Sequence, residues 1–192
     1  KKLIAAGALG TLCHVEGQFS GPSAISFKPG MWRADRQESP LGGMGGMGIH
    51  MIDMMINLAG PIAEVTVRSL TRALTNGLDD TTAGLFSFAS GATGCFATLA
   101  LAPRVWRVAL YGTDGALELR GHENLSFTPR EGEGWVKDFP KTDIEHAELV
   151  AFAAAVNGGP AYPLPLEDAI HGVAVYEAMI GAAASGSTYR VA

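Results

Sequence analysis

The sequence predicts an α+β fold: an open, mainly antiparallel sheet with helices on one face. Alternating apolar and polar segments flank two hairpin signals, Ser90-Gly91 and Gly112-Thr113-Asp114-Gly115. Two helical patterns follow the strands instead of alternating with them, which argues against a parallel, doubly wound sheet. Five glycines, Gly42, Gly43, Gly45, Gly46 and Gly48, run straight into an apolar helix that stops at Gly60-Pro61.

Composition narrows the class of molecule. With 47% hydrophobic and 17% charged residues, the 192-residue chain reads as one well-packed globular domain, not a disordered segment. The net charge of −5, with 14 Lys/Arg against 19 Asp/Glu, argues against a nucleic-acid partner, and there is no Lys/Arg cluster. Apolar runs break well short of the ~18 residues a membrane span needs, so no membrane partner is expected. Cys13 and Cys95 stand alone, without CxxC spacing, and are expected to be buried free thiols in a cytoplasmic protein. No signal-peptide pattern opens the chain. It starts at Lys1 without a methionine, and residues 1–8 resemble the last turns of a helix, so a piece of a longer protein is expected.

The elements follow in order. Residues 11–20 alternate, with Cys13, Val15 and Phe19 on one side and His14, Glu16 and Gln18 on the other, a strand with one wet or interface face. Residues 21–41 carry Pro22, Pro29, Gly30 and Pro40 and show no periodicity. A loop of that length inside a compact domain is usually functional. In the helix from Gly48, a buried stripe of Ile49, Ile52, Ile56 and Ala59 is expected. Strands are expected at 62–70, 81–88, 93–101, 105–111 and 116–119, with edge strands at 124–127 and 134–136. Trp106 or Val108 is expected on the sheet face that no helix covers. A capping box at Thr142-Asp143-Ile144-Glu145 opens a helix with Ile144, Leu149, Phe152 and Val156 inside. A second helix, 165–184, is expected to bury Ile170, Val173, Ala174 and Ile180, and a short strand to follow at 188–191. His146 and His171 lack partners at metal-ligand spacing and are read as structural or exposed, and no metal site is expected.

The candidate site is the glycine turn and the helix it feeds. His50, Asp53 and Asn57 fall at i, i+3 and i+7 and share a polar stripe. A histidine in the first turn lies near the positive end of the helix dipole, which favours a neutral imidazole able to take a proton. Trp32, Arg33, Asp35 and Arg36 lie on the loop just before the turn. Trp32 either plugs the core or faces a ligand, and the arginines are either solvated or hold one. Gly43-Met44-Gly45-Gly46-Met47-Gly48 formally matches G-x-G-x-x-G, but Arg36-Gln37-Glu38-Ser39-Pro40-Leu41 before it is no core strand. A dinucleotide fingerprint is therefore not expected, and neither a P-loop lysine nor a nucleophile elbow is present.

Taken together, these segments resemble a known family. The glycine turn with Gly48-Ile49-His50 and Asp53, the apolar helix and Gly60-Pro61-Ile62 are similar to the C-terminal domain of the glucose–fructose oxidoreductase/inositol dehydrogenase (Gfo/Idh/MocA) superfamily. The resemblance extends from Ala6-Gly7-Ala8-Leu9-Gly10 and Trp32 through Phe88-Ala89-Ser90-Gly91 and Tyr111-Gly112-Thr113-Asp114-Gly115 to Ala174-Val175-Tyr176-Glu177-Ala178. It implies a dihydrodipicolinate-reductase-like sheet domain that shapes a substrate pocket and usually makes the oligomer interface, as a homodimer or homotetramer. It implies NAD or NADP as cofactor, bound mainly by an N-terminal Rossmann domain with a Glu-Lys-Pro lysine, neither of which is in this chain. His50 would be the catalytic proton carrier, and Trp32, Arg33, Arg36 and Asp53 would hold a sugar, cyclitol or related small molecule. The family pattern carries an aspartate four residues before the histidine, and here that position is Gly46. The alternative is a non-catalytic dimerisation or binding module of the same fold.

Overall fold

Nine strands form a single sheet, with α2 and α4 packed on one side of it. The computed structural model describes residues 1–192. In chain order the elements are α1 (Lys2–Ala5), β1 (Leu12–Ser20), α2 (Gly48–Ala59), β2 (Ile62–Leu70), β3 (Thr81–Phe88), β4 (Thr93–Leu99), β5 (Val105–Gly112), β6 (Gly115–Arg120), β7 (Asn124–Pro129), β8 (Trp135–Asp138), α3 (Ile144–Val156), α4 (Leu166–Ser185) and β9 (Tyr189–Arg190). The strand order is β8-β7-β6-β5-β1-β4-β3-β2-β9, and every pairing is antiparallel except β1 with β4. The sheet is thus the mainly antiparallel one that the hairpins predict. It is not a plain meander, because β1 is inserted between β4 and β5.

The core lies between the sheet and the helices. α2 packs on β1 and α4 on β2 and α2. The buried stripe of α2 is Met51, Ile52, Met55 and Ile56, with Ile49 and Ala59 only half-buried. The methionines take the place expected of Ile49 because flexible thioethers fill the uneven gap over a glycine-containing strand. From the sheet, Val15, Val65, Val67, Phe86, Phe96 and Leu110 meet them.

Four expectations about side-chain placement are corrected. Register pairs Phe19 with Trp106 and Gly17 with Val108, so both β5 residues face the helix side; Arg107, Ala109 and Tyr111 face the open side. A register irregularity between Leu12 and His14 breaks the alternation of β1 and leaves Cys13 exposed, and Cys95 is half-buried on the open face, so neither thiol is a core residue. α3 buries nothing: Ile144, Leu149, Phe152 and Val156 are 50–69% exposed, because the helix projects from the sheet instead of lying on it. α4 buries Val175, Ala178, Met179 and Ala182, while Ile170 and Val173 stay exposed. The cap of α3 is also one residue later than the capping box implies, with Asp143 accepting the His146 N–H at 2.9 Å.

One buried carboxylate ties the β2–β3 connection together. Asp80 is 2% exposed and accepts the backbone N–H groups of Arg72, Ala73 and Leu74 at 2.7–2.9 Å and the Thr81 hydroxyl at 2.9 Å. Burial alone would raise its pKa, but these donors to the charged form outweigh burial and hold it at about 2. A carboxyl depressed in the folded state stabilises above its unfolded pKa and loses that contribution as pH falls through the folded value. Unfolding measured from about pH 5 down to pH 2 is therefore expected to lose about 2 kcal/mol through this group. Asp80→Asn should flatten that part of the acid profile, and an unchanged profile would count against the assignment.

Candidate functional site

Loop 21–47 folds back over the end of β1 and β4 and makes one wall of the site. Backbone bonds from Gly21 to Leu99 and from Ala24 to Ala100 hold it there. Beneath it Ala24, Met47 and Ala100 form a small second core, with Phe19, Phe27 and Leu74 packed against it. Short 3-10 turns at Ser23–Ser26, Trp32–Ala34 and Gly42–Met44 replace the featureless loop read from the sequence. Leu41 and Gly42 both take left-handed backbone conformations, at φ 60° and 58°, which turns the chain sharply into the glycine segment. No strand runs directly into Gly43 and an antiparallel pair follows α2, so the glycine turn is not set in a strand–turn–helix unit with a parallel strand after it.

This loop, the glycine turn and α4 enclose a cleft of about 720 Å³. Trp32, Arg33 and Glu38 line it from the loop, Gly45 and Gly46 from the turn, and Tyr176 from α4. Trp32 is 61% exposed, so it is a wall of the cleft and not a plug of the core. The Arg33 guanidinium stacks on its ring, 4.6 Å from the centroid. The Tyr176 hydroxyl donates to the Pro40 carbonyl at 2.7 Å, pinning loop to helix, and burial raises its pKa. Aromatic surface beside separate anionic and cationic groups suits a small polar ligand with an apolar ring face.

His50 stands one helical turn beyond this wall. Its backbone N–H bonds the carbonyl of Met47, a cleft residue, at 3.2 Å. The side chain is exposed, 6.3 Å from the Phe19 ring between centroids, with no protein hydrogen-bond partner. Asp53 lies on the same side of α2. Burial raises its pKa first, then the carboxylate of Asp168 on α4, and His50 opposes both. Asp53 thus belongs to a cluster of His50 with two carboxylates, and no hydrogen bond joins it to His50. The last member of the polar stripe, Asn57, accepts from Lys1 Nζ at 2.5 Å.

Arg36 is not part of the cleft wall. Its guanidinium pairs with the buried Asp79 at 3.0 Å, and Asp79 also accepts from Ser69 at 2.9 Å. This pair anchors the loop to the end of the sheet. Asp35 caps its own turn by accepting the Gln37 N–H at 2.7 Å. The structure therefore joins Trp32 and Arg33 in one cleft, sets His50 and Asp53 on the adjoining helix, and ties Arg36 to Asp79, with its side chain still 62% exposed in a neighbouring hollow that Trp32 and Glu38 also line. Reading the sequence alone misses Glu38, Tyr176 and Asp168. Glu38 sits in an ordinary polar run, and the other two are on a helix more than 110 residues downstream of His50, so no local spacing marks them.

Comparison with known proteins bears on the fold and the family. The family model described as the GFO/IDH/MocA C-terminal domain matches residues 1–118. Among solved structures, the chain is similar to an NAD binding oxidoreductase from Klebsiella pneumoniae, with TM-score 0.86 and 20% identity over 100% of this chain and 62% of the other. It is similar to levoglucosan dehydrogenase in complex with NADH and levoglucosan, with TM-score 0.85 and 20% identity over 100% of this chain and 62% of that one. It is also similar to aldose-aldose oxidoreductase from Caulobacter crescentus complexed with glycerol, with TM-score 0.83 and 20% identity over 98% and 58%. The chain thus spans about three fifths of the length of the solved chains it matches. At these identities the likeness speaks for the fold. No curated protein matches the sequence.

Proposed function

The chain belongs to the GFO/IDH/MocA C-terminal domain family, and from that premise we propose that it is the substrate-binding domain of an NAD(P)-dependent oxidoreductase. The reaction interconverts a hydroxyl and a carbonyl group on a sugar, cyclitol or related small molecule. The observation that carries this reading is the cleft that places Trp32, Arg33 and Glu38 opposite the glycine turn, one helical turn from the exposed His50. The residues of this chain do not fit the cofactor's pyrophosphate, since no strand–glycine turn–helix unit is present. The cofactor site accordingly falls to a separate dinucleotide-binding domain, where NAD or NADP supplies the hydride exchange.

The work of this chain is to orient the substrate and handle its proton. Trp32 offers a flat apolar surface to a ring face, and Arg33 and Glu38 receive polar substituents. His50 takes the proton from the substrate hydroxyl oxygen as the carbonyl forms, and returns it in the reverse direction. Its ring carries no protein hydrogen bond that this task would have to break. Asp53 lies on the same side of the helix, with Asp168 of α4 acting on it, and lines the approach to His50 with acidic groups.

Steady-state assay of the full-length protein with NAD and NADP against a panel of sugars and cyclitols tests the proposal. Turnover of at least one of them supports it. Absence of turnover with every pair, in a folded oligomer, would favour the non-catalytic module.

The open face of the sheet is the proposed homo-oligomer interface. Leu85 is 64% exposed there, among Thr66, Ala83 and Ala97, and a sheet with helices on one side leaves the other in need of cover. Sedimentation equilibrium at micromolar concentration is expected to give a dimer or tetramer, and Leu85→Asp to shift it toward monomer. A monomeric parent protein would overturn this reading. No helix of the chain is long and apolar enough to cross a membrane.

A further inference from the structure

Three strands meet on the open face of the sheet at a group of side chains that the cleft does not use. Glu16 on β1 lies directly beside Cys95 on β4, and His14 is two residues from Glu16 on the same face. One ligand atom from each of His14, Glu16 and Cys95 lies within 4.8 Å of the other two. We propose that these three residues bind one zinc-class divalent cation. A thiolate, an imidazole and a carboxylate make the borderline donor set that zinc favours.

The hydrogen bonds around the group leave its ligand atoms free. Thr93 Oγ1 stands 2.8 Å from His14 Nδ1 and 3.4 Å from the Cys13 carbonyl, and when its proton goes to that carbonyl it accepts from His14 Nδ1–H. In that tautomer the lone pair is on Nε2, and Thr93 orients the ring in the way an outer partner orients a metal-bound histidine. Glu16 receives both of its donors on one oxygen: Arg107 Nη1 at 2.7 Å and the Tyr111 hydroxyl at 3.3 Å reach Oε2, and Oε1 has no partner. Cys95 Sγ makes no hydrogen bond.

Charge balance permits a cation despite the neighbouring guanidinium. Arg107 is held from its other side by Glu118, whose Oε2 accepts from Arg107 Nε at 2.8 Å. Glu118 is also paired with the more exposed Arg120, so the two carboxylates are balanced by two guanidiniums, and a bound thiolate supplies the negative charge that a cation meets. Ligand atoms around a tetrahedral zinc stand about 3.5 Å apart. Rotation of the Glu16 and Cys95 side chains closes the remaining ~1 Å without moving the sheet. All three ligands come from one chain, so the site does not depend on the proposed oligomer, and water or a neighbouring copy fills the fourth position.

The test is zinc titration of the metal-free protein in competition with a chromophoric chelator, paired with cobalt(II) substitution. One zinc per chain is expected, together with a thiolate-to-cobalt charge-transfer band. Cys95→Ser should abolish the band and His14→Ala the stoichiometric binding, while Cys13→Ser, at the exposed thiol outside the group, should leave both intact. Thr93→Val, which removes only the partner of His14 Nδ1, should weaken affinity about tenfold or more. Circular dichroism checks that each variant is folded. Absence of stoichiometric binding, or a cobalt band that survives Cys95→Ser or disappears in Cys13→Ser, would overturn the proposal.

Discussion

Replacing His50 with alanine is expected to lower kcat of the full-length enzyme about 10²–10⁴-fold, with a smaller effect on KM. The asymmetry follows from position. In the proposed reaction the substrate is held by Trp32, Arg33 and Glu38, which line the cleft, whereas His50 meets it only where the proton moves. Folding should not suffer, because the side chain is exposed and carries no protein hydrogen bond. Steady-state kinetics over a range of pH checks this, since loss of a proton carrier also removes the corresponding limb of the profile. An unchanged kcat would leave His50 a helix-start residue of structural value only.

The second large effect concerns the glycines, which look interchangeable in the sequence. Gly42→Ala is expected to cost about 3 kcal/mol or more. A Cβ at Gly42 would overlap the backbone carbonyl oxygen of Asp79, and the residue already sits at φ 58°. Asp79 cannot yield easily, because it is buried and tied to Arg36 and Ser69, next to the Asp80 carboxylate that organises the β2–β3 connection. Gly46, four residues on, has open space within 4 Å of where a Cβ would stand and no left-handed φ. Gly46→Asp should therefore leave the melting temperature within a few degrees. It should shift substrate preference by setting a carboxylate in the cleft where the family pattern carries one. Thermal unfolding of both variants decides the first point and kinetics the second. Equal destabilisation of the two would show that the glycine turn is not held as described.

Much of this architecture is legible locally. Ser90-Gly91 and Gly112-Thr113-Asp114-Gly115 do close hairpins, over four residues and two residues respectively, because a short turn needs only the residues in it. Gly60-Pro61 does stop the helix that carries His50, and His50 and Asp53 share one side of it, because helix periodicity is a property of neighbours. The family follows from the order of such pieces. The faces of α3 and α4 were less legible, since alanines and β-branched residues surround both helices and leave no sharp stripe.

By itself, then, the sequence determined the class of fold, the turns and the helix with its histidine, all of which are settled by contacts within a few residues. The tertiary structure alone decided which distant segments meet. The insertion of β1 between β4 and β5 puts His14 and Glu16 beside Cys95. The pairing of Arg36 with Asp79 removes that arginine from the cleft, and the crossing of α4 brings Tyr176 to Pro40 and Asp168 near Asp53. These pairings span 43 residues or more, and no local periodicity encodes them. They are chosen by which arrangement buries the apolar faces of the whole chain and satisfies its polar groups at once.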